Sequence, residues 1–112
     1  MIYVSIALFA LSAALGLAIL VKWLTKKEAS KGVIYSHGIV AVIALMLLIV
    51  YAIQHPGNFP KVSIILFSVA AVAGLYMFFL DMKKKTSPMV IAFTHALVAV
   101  SAFVLLLLFV FA

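Results

Sequence analysis

Two histidines, His37 and His95, lie within long apolar segments and have the clearest capacity for chemistry in this chain. A neutral imidazole offers one nitrogen lone pair and one N–H group, which suits it to bind a metal or relay a proton. Ionisable side chains in an apolar span usually mark a function. The same two rings could also serve packing alone, as one ancestral residue copied twice.

The sequence lacks the residues and motifs required for most other kinds of catalysis. The chain has no cysteine, which excludes thiolate and disulfide chemistry. No phosphate-binding loop, HExxH motif, Ser-His-Asp set or carboxylate pair is present, so hydrolytic enzymes are excluded. We expect His55, beside Pro56, to be solvated, and Glu28 and Asp81 to pair with lysines.

The elements that carry the histidines must be membrane-spanning helices. Of 112 residues, 70% are hydrophobic and 9% are charged, whereas soluble domains have about 25% charged residues. Each apolar segment is near the ~20 residues that a helix needs to cross a bilayer, and twice the length of a β-barrel strand. The predicted spans are residues 2–21, 33–53, 62–80 and 89–112.

The lysines predict the orientation in the membrane. The formal charge is +6, but the lysines flank apolar segments, so we expect contact with a membrane surface and not with nucleic acid. Seven of the eight lie in the first and third linkers: Lys22, Lys26, Lys27, Lys31, Lys83, Lys84 and Lys85. The positive-inside rule then places these linkers in the cytoplasm and both termini outside, on the periplasmic side of a bacterial inner membrane. The first span has no basic residue before it, so we do not expect a cleaved signal peptide.

The chain contains an internal repeat. A shift of 58 residues aligns residues 1–54 with 59–112 and gives 17 identities in 54 pairs. The identities include the Lys26-Lys27 pair with Lys84-Lys85, Gly16 with Gly74 and His37 with His95. Because each copy holds two helices, both copies have the same orientation, which is the parallel-repeat arrangement. We predict one all-α domain over residues 1–112, an up-down-up-down four-helix bundle.

The identities follow one face of each helix. On the second helix they are His37, Val40, Ala41, Ala44, Leu47 and Leu48, and on the fourth His95, Val98, Ala99, Ala102, Leu105 and Leu106. The stripe is Ser5, Phe9, Ala13 and Gly16 on the first helix, and Ser63, Phe67, Ala71 and Gly74 on the third. Small residues mark helix contacts in lipid, so these stripes predict the inside of the bundle.

The predicted geometry favours a flat ligand between the histidines. Neighbouring helices lie 8–10 Å apart, so the diagonal between helices two and four is roughly 11–14 Å. Two inward imidazoles could then hold one haem b iron from both sides, in an apolar slot lined by Gly16, Gly74, Ala41 and Ala99. Each ring N–H would need a backbone carbonyl or a hydroxyl, such as that of Ser36 or Thr94, as its partner.

This pattern resembles the membrane b-type cytochromes, which hold haem between histidines of the second and fourth helices, with glycines on the first and third. His37 and His95 match the ligands, and Gly16 and Gly74 match the glycines. The second histidine pair that those proteins often carry is replaced by Val50-Tyr51 and Leu108-Phe109. The resemblance implies an electron carrier with one haem near the cytoplasmic face, working with a quinone or a redox partner protein.

Two other classes stay open at this point. The length and four spans resemble the small multidrug-resistance transporters, but the first helix lacks their membrane-embedded glutamate. The third class is a ligand-free accessory or scaffold subunit in which the histidines only pack. A bare metal site or a proton relay is a further possibility for the two rings.

Overall fold

Four α-helices make up most of the described chain. The computed structural model describes residues 1–85 and 88–112; Thr86 and Ser87 of the predicted third linker lie outside this part. The helices are α1 (Ile2–Leu24), α2 (Lys31–Gln54), α3 (Lys61–Met82) and α4 (Met89–Phe111). The first three extend one to three residues beyond the predicted spans, because residues at the ends of the apolar segments, Lys22 and Lys31 among them, continue the helical turns.

Each helix can cross a bilayer. The four contain 22 to 24 residues, and their most apolar windows have mean hydropathies of 2.3 to 2.6. In hydrocarbon a helix is favoured because it satisfies its backbone N–H and C=O groups within one segment. The prediction of an all-α chain with four membrane-length helices is confirmed, and the chain is an integral membrane protein.

The helices form two compact units, Met1–Gly57 and Asn58–Ala112. The predicted repeats, 1–54 and 59–112, correspond to these units. In the first unit α1 packs against α2, and in the second α3 packs against α4. Ser5 contacts Ala44 and Ser12 contacts His37; residues later in α1 meet residues earlier in α2, so the hairpin is antiparallel.

Each hairpin buries a narrow stripe of small and apolar side chains. In the first unit the fully buried positions are Ser5, Ala44 and Leu48. The Ser5 hydroxyl donates a hydrogen bond of 2.8 Å to the carbonyl oxygen of Ala44, which ties the two helices together within the buried face. In the second unit the corresponding Ser63, Ala102 and Leu106 are also buried.

The face that α1 and α3 bury within their hairpins differs from the predicted stripe at one position in each helix. Ala13 and Ala71 are exposed, whereas Ser12 and Ala70 are buried. The buried face of α1 runs through Ile2, Ser5, Phe9, Ser12 and Ile19, at spacings of three, four and seven residues. One residue along a helix turns the side chain by about 100°, so Ala13 leaves the face that Ser12 occupies.

The paired lysines end α1 and α3 in the same backbone turn. Lys26 and Lys84 have φ of 58° and 57°, the left-handed conformation. The Lys27 N–H donates to the Lys22 carbonyl at 2.7 Å, and the Lys26 N–H donates to the Trp23 carbonyl at 3.1 Å. This is the Schellman arrangement, in which glycine is the usual left-handed residue.

The second unit repeats the turn. The Lys85 N–H donates to the Leu80 carbonyl at 2.8 Å, and the Lys84 N–H donates to the Asp81 carbonyl at 3.0 Å. Two of the lysines that predicted the membrane orientation, Lys26 and Lys84, therefore also hold helix-terminating positions where a side chain is disfavoured.

We expect Lys84→Gly to raise the thermal midpoint of the detergent-solubilised protein. A left-handed L-residue costs about 1 kcal/mol, which glycine does not incur. Lys83→Gly is the matched control, because Lys83 has a φ of −84° and glycine there only adds freedom to the unfolded chain. Equal shifts for both variants would contradict the left-handed assignment.

Candidate functional site

Each histidine donates its Nδ1 proton to a backbone carbonyl of the partner helix in its own hairpin. His37 Nδ1 lies 2.7 Å from the Ser12 carbonyl oxygen. His95 Nδ1 lies 2.8 Å from the Ala70 carbonyl oxygen. A carbonyl can only accept, so Nδ1 carries the proton in both rings. The two bonds join corresponding positions of the repeat, since Ser12 and Ala70 are 58 residues apart, as are the histidines.

The tautomer follows from these bonds. In a neutral imidazole with the proton on Nδ1, the ring lone pair lies on Nε2. A metal-ligating histidine typically has this arrangement, with the other ring N–H held by a carbonyl or carboxylate that fixes the ring orientation and raises its basicity. The expected backbone-carbonyl partner is therefore present for both histidines.

The expected hydroxyl partners do not hold the rings. The Thr94 hydroxyl donates to the Val90 carbonyl at 2.7 Å, within its own helix, and Ser36 is exposed. The hydroxyl that reaches His37 belongs to Ser12: its Oγ lies 3.1 Å from Nδ1 and 3.2 Å from the His37 carbonyl oxygen, to which it donates.

Ser12 was missed because the repeat has Ala70 in the corresponding place. The signal that could have found it is the spacing of seven residues from Ser5, which places two hydroxyls on one helix face. Hydroxyls between apolar helices commonly form interhelical hydrogen bonds. Both histidine rings thus donate a hydrogen bond to a backbone carbonyl. His37 also has the hydroxyl of Ser12 within hydrogen-bond distance.

The predicted glycines contact the imidazoles of their own units. A Cβ atom built on Gly16 would lie 2.8 Å from His37 Cε1, and one built on Gly74 would lie 3.1 Å from His95 Cε1. Side chains on a helix tilt toward its N-terminus, so in an antiparallel hairpin His37 reaches past Ser12 toward Gly16. The missing side chain leaves the room that the ring occupies.

The other predicted site residues are placed less distinctively. Ala41 and Ala99 are half-buried on the histidine-bearing helices, one turn beyond each histidine. His55 is exposed, as expected: its ring stacks on Tyr51 at a centroid distance of 4.1 Å, and its Nδ1 donates to the Tyr51 carbonyl at 3.0 Å. In the described part of the chain, no three His, Cys, Asp or Glu side chains gather into a metal-binding group.

We expect Ser12→Ala to leave the tautomer of His37 unchanged. The principal acceptor of the Nδ1 proton is the Ser12 backbone carbonyl, which alanine keeps. Loss of the hydroxyl bond to the His37 carbonyl should lower the unfolding free energy by about 0.6 kcal/mol, the average for hydrogen bonds between membrane helices. ¹⁵N shifts of the imidazole and unfolding in mixed micelles measure the two effects. A shift of the proton to Nε2 would show that the hydroxyl sets the tautomer.

Comparison of the chain with protein-family models, with curated proteins and with solved structures finds no match.

Proposed function

We propose that this chain is a membrane-embedded b-type cytochrome that binds one haem b through His37 and His95 and carries single electrons. The observation that supports the proposal most is the pair of Nδ1–carbonyl bonds at corresponding positions of the repeat. Each bond orients its ring and leaves the lone pair on Nε2, the form in which imidazole coordinates iron.

The residues present fit the chemistry of this group. Porphyrin supplies four nitrogen ligands to iron, so the protein needs to supply only two, and the chain has one oriented imidazole in each hairpin. A site with only protein ligands needs more side chains than the described residues bring together. Small neighbours, namely Gly16, Gly74, Ala41 and Ala99, would limit steric conflict beside the ligands.

Held by His37 and His95, a haem b would supply one-electron transfer, and two histidine ligands would disfavour the binding of oxygen. The chain contributes the rest. The carbonyls of Ser12 and Ala70 hold the ring N–H groups, and the apolar helices exclude water. Lysines at the ends of α1 and α3 supply positive charge for carboxylates such as haem propionates. A quinone or a redox partner protein on the cytoplasmic side of a bacterial inner membrane would exchange the electron.

The second candidate is a ligand-free accessory or scaffold subunit. It is favoured by the fit of each imidazole to its own hairpin, where the ring fills the space beside a glycine and donates to a carbonyl. A histidine that only joins two helices would show the same contacts. The two candidates differ in whether Nε2 also binds a ligand.

Titration of the detergent-purified protein with haemin tests the proposal. We expect saturation at one haem per chain, a sharp Soret band, and the low-spin electron paramagnetic resonance signal of two axial histidines. Reduction should give narrow α and β bands. A protein that shows no saturable haem binding, or only a high-spin signal, would favour the ligand-free subunit.

A further inference from the structure

We infer that the lysine turn at the end of α1, residues 22–27, is a binding site for the headgroups of anionic phospholipids. The turn is defined by the Schellman bonds that fix Lys26 and Lys27 after the last helical residues. The inference does not depend on haem binding. It rests on the backbone conformation of Lys26, on the exposure of the lysines and on their charge.

The backbone conformation shows that folding alone does not favour lysine here. Glycine would adopt the φ of 58° found at Lys26 without steric conflict. The second unit also has lysine in the left-handed position, at Lys84. A disfavoured residue that occurs in both copies of a turn points to a role for its side chain outside the hairpin.

The side chains of the turn are directed at the surroundings. Lys22, Lys26 and Lys27 are all exposed. Lys22 lies in the last turn of an apolar helix of membrane-spanning length, and Lys26 and Lys27 follow that helix, so we place their ammonium groups at the level of lipid phosphates. Clusters of basic residues beside a span attract anionic lipid headgroups.

The backbone of the turn determines the kind of recognition. The N–H groups of Lys26 and Lys27 are bound to the carbonyls of Trp23 and Lys22, so they do not form an anion-binding nest. The phosphate is then held by flexible ammonium groups, which act as point charges. We therefore expect selection for negative charge, sensitivity to salt, and little discrimination among anionic headgroups.

The fluorescence of Trp23, the sole tryptophan of the chain, reports on lipid next to the turn, because brominated lipids quench it on contact. The protein is reconstituted into vesicles of phosphatidylcholine with brominated phosphatidylglycerol, or with brominated phosphatidylcholine. We expect the anionic quencher to associate about fivefold more strongly at low salt, and the preference to vanish near 0.5 M NaCl as charge is screened.

The double variant Lys26→Asn, Lys27→Gln should remove the preference. Asparagine tolerates the left-handed conformation, so the turn keeps its shape while two charges are lost. Lys26→Arg should retain the preference, and Lys61→Gln, at the start of α3, should leave it unchanged. Equal quenching by both lipids in the wild type, or an undiminished preference in the double variant, would overturn the inference.

The second lysine turn provides an independent test. In a Trp23→Phe background, Phe79→Trp places the reporter in the last turn of α3, where residue 79 is exposed. Lys84→Asn with Lys85→Gln should then reduce the anionic preference to about one. If this turn shows no preference in the parent protein, the common role assigned to Lys26 and Lys84 is wrong.

Discussion

Alanine in place of either His37 or His95 is expected to abolish the low-spin haem spectrum. In the proposed haem site each hairpin supplies one oriented imidazole, so either change would leave the iron with one protein ligand and a high-spin signal. Loss of an outer-shell partner commonly reduces metal affinity 10- to 100-fold, so loss of a ligand should reduce haem affinity at least about 100-fold. Haemin titration and electron paramagnetic resonance measure both effects.

Two controls separate loss of a ligand from loss of the fold. Free imidazole should restore the low-spin signal in each alanine variant, because the removed ring leaves space beside Gly16 or Gly74. His55→Ala should keep the wild-type spectrum, since His55 is exposed and stacked on Tyr51. An unaltered spectrum in both His37→Ala and His95→Ala would show that haem, if bound, uses other ligands.

The helices, and the need of each imidazole N–H group for a carbonyl or hydroxyl acceptor, could be predicted because each follows from a strong local constraint. A run of about 20 apolar residues leaves few options other than a membrane helix. An imidazole N–H between apolar helices needs an acceptor, and backbone carbonyls are the acceptors that every helix offers. Because the sequence repeats after 58 residues, the acceptor that one histidine requires was also expected for the other.

The contact face of α1 could not be read from the repeat alone. Identity between the copies marks residues that both copies retained, whereas burial depends on the helix rotation in each hairpin. Ala13 is identical to Ala71 yet exposed, while Ser12 differs from Ala70 and both are buried. The buried face continues from Phe9 to Ser12 and Ile19, at steps of three and seven residues, and Ala13 lies about 100° around the helix from Ser12.

The turn at the paired lysines also lay beyond sequence reasoning. Lysine beside an apolar segment predicts membrane orientation, and that interpretation accounts for Lys26 and Lys84 without any backbone argument. Left-handed residues are recognised in sequences mainly as glycine or asparagine. A lysine in that conformation becomes apparent only from the φ angle and from the N–H bonds that close the turn.

Alanine substitutions at three glycines should distinguish steric contact with the imidazole rings from the effect of alanine on helix propensity. Gly16→Ala places a methyl group 2.8 Å from His37 Cε1, closer than carbon atoms approach without displacement. Displacement of the ring would strain the 2.7 Å bond between Nδ1 and the Ser12 carbonyl. We expect Gly16→Ala to lower the unfolding free energy by about 1–3 kcal/mol, as in overpacked cores.

Gly38→Ala makes the same chemical change where nothing lies within 4 Å of the new methyl group. It should stabilise α2 by roughly 0.5–1 kcal/mol, because alanine loses less backbone freedom than glycine. Gly74→Ala should fall between the two, since its methyl group would lie 3.1 Å from His95 Cε1 and a small ring shift relieves that contact.

Unfolding in mixed micelles gives the three free energies, and the ¹⁵N shift of His37 Nδ1 should change only in Gly16→Ala. If Gly16→Ala proves as stable as Gly38→Ala, with an unchanged Nδ1 signal, the imidazole does not occupy the space beside Gly16. Contact with Gly16 would then no longer explain the orientation of the His37 ring. Only the hydrogen bond from Nδ1 to the Ser12 carbonyl would determine the position in which Nε2 meets a ligand.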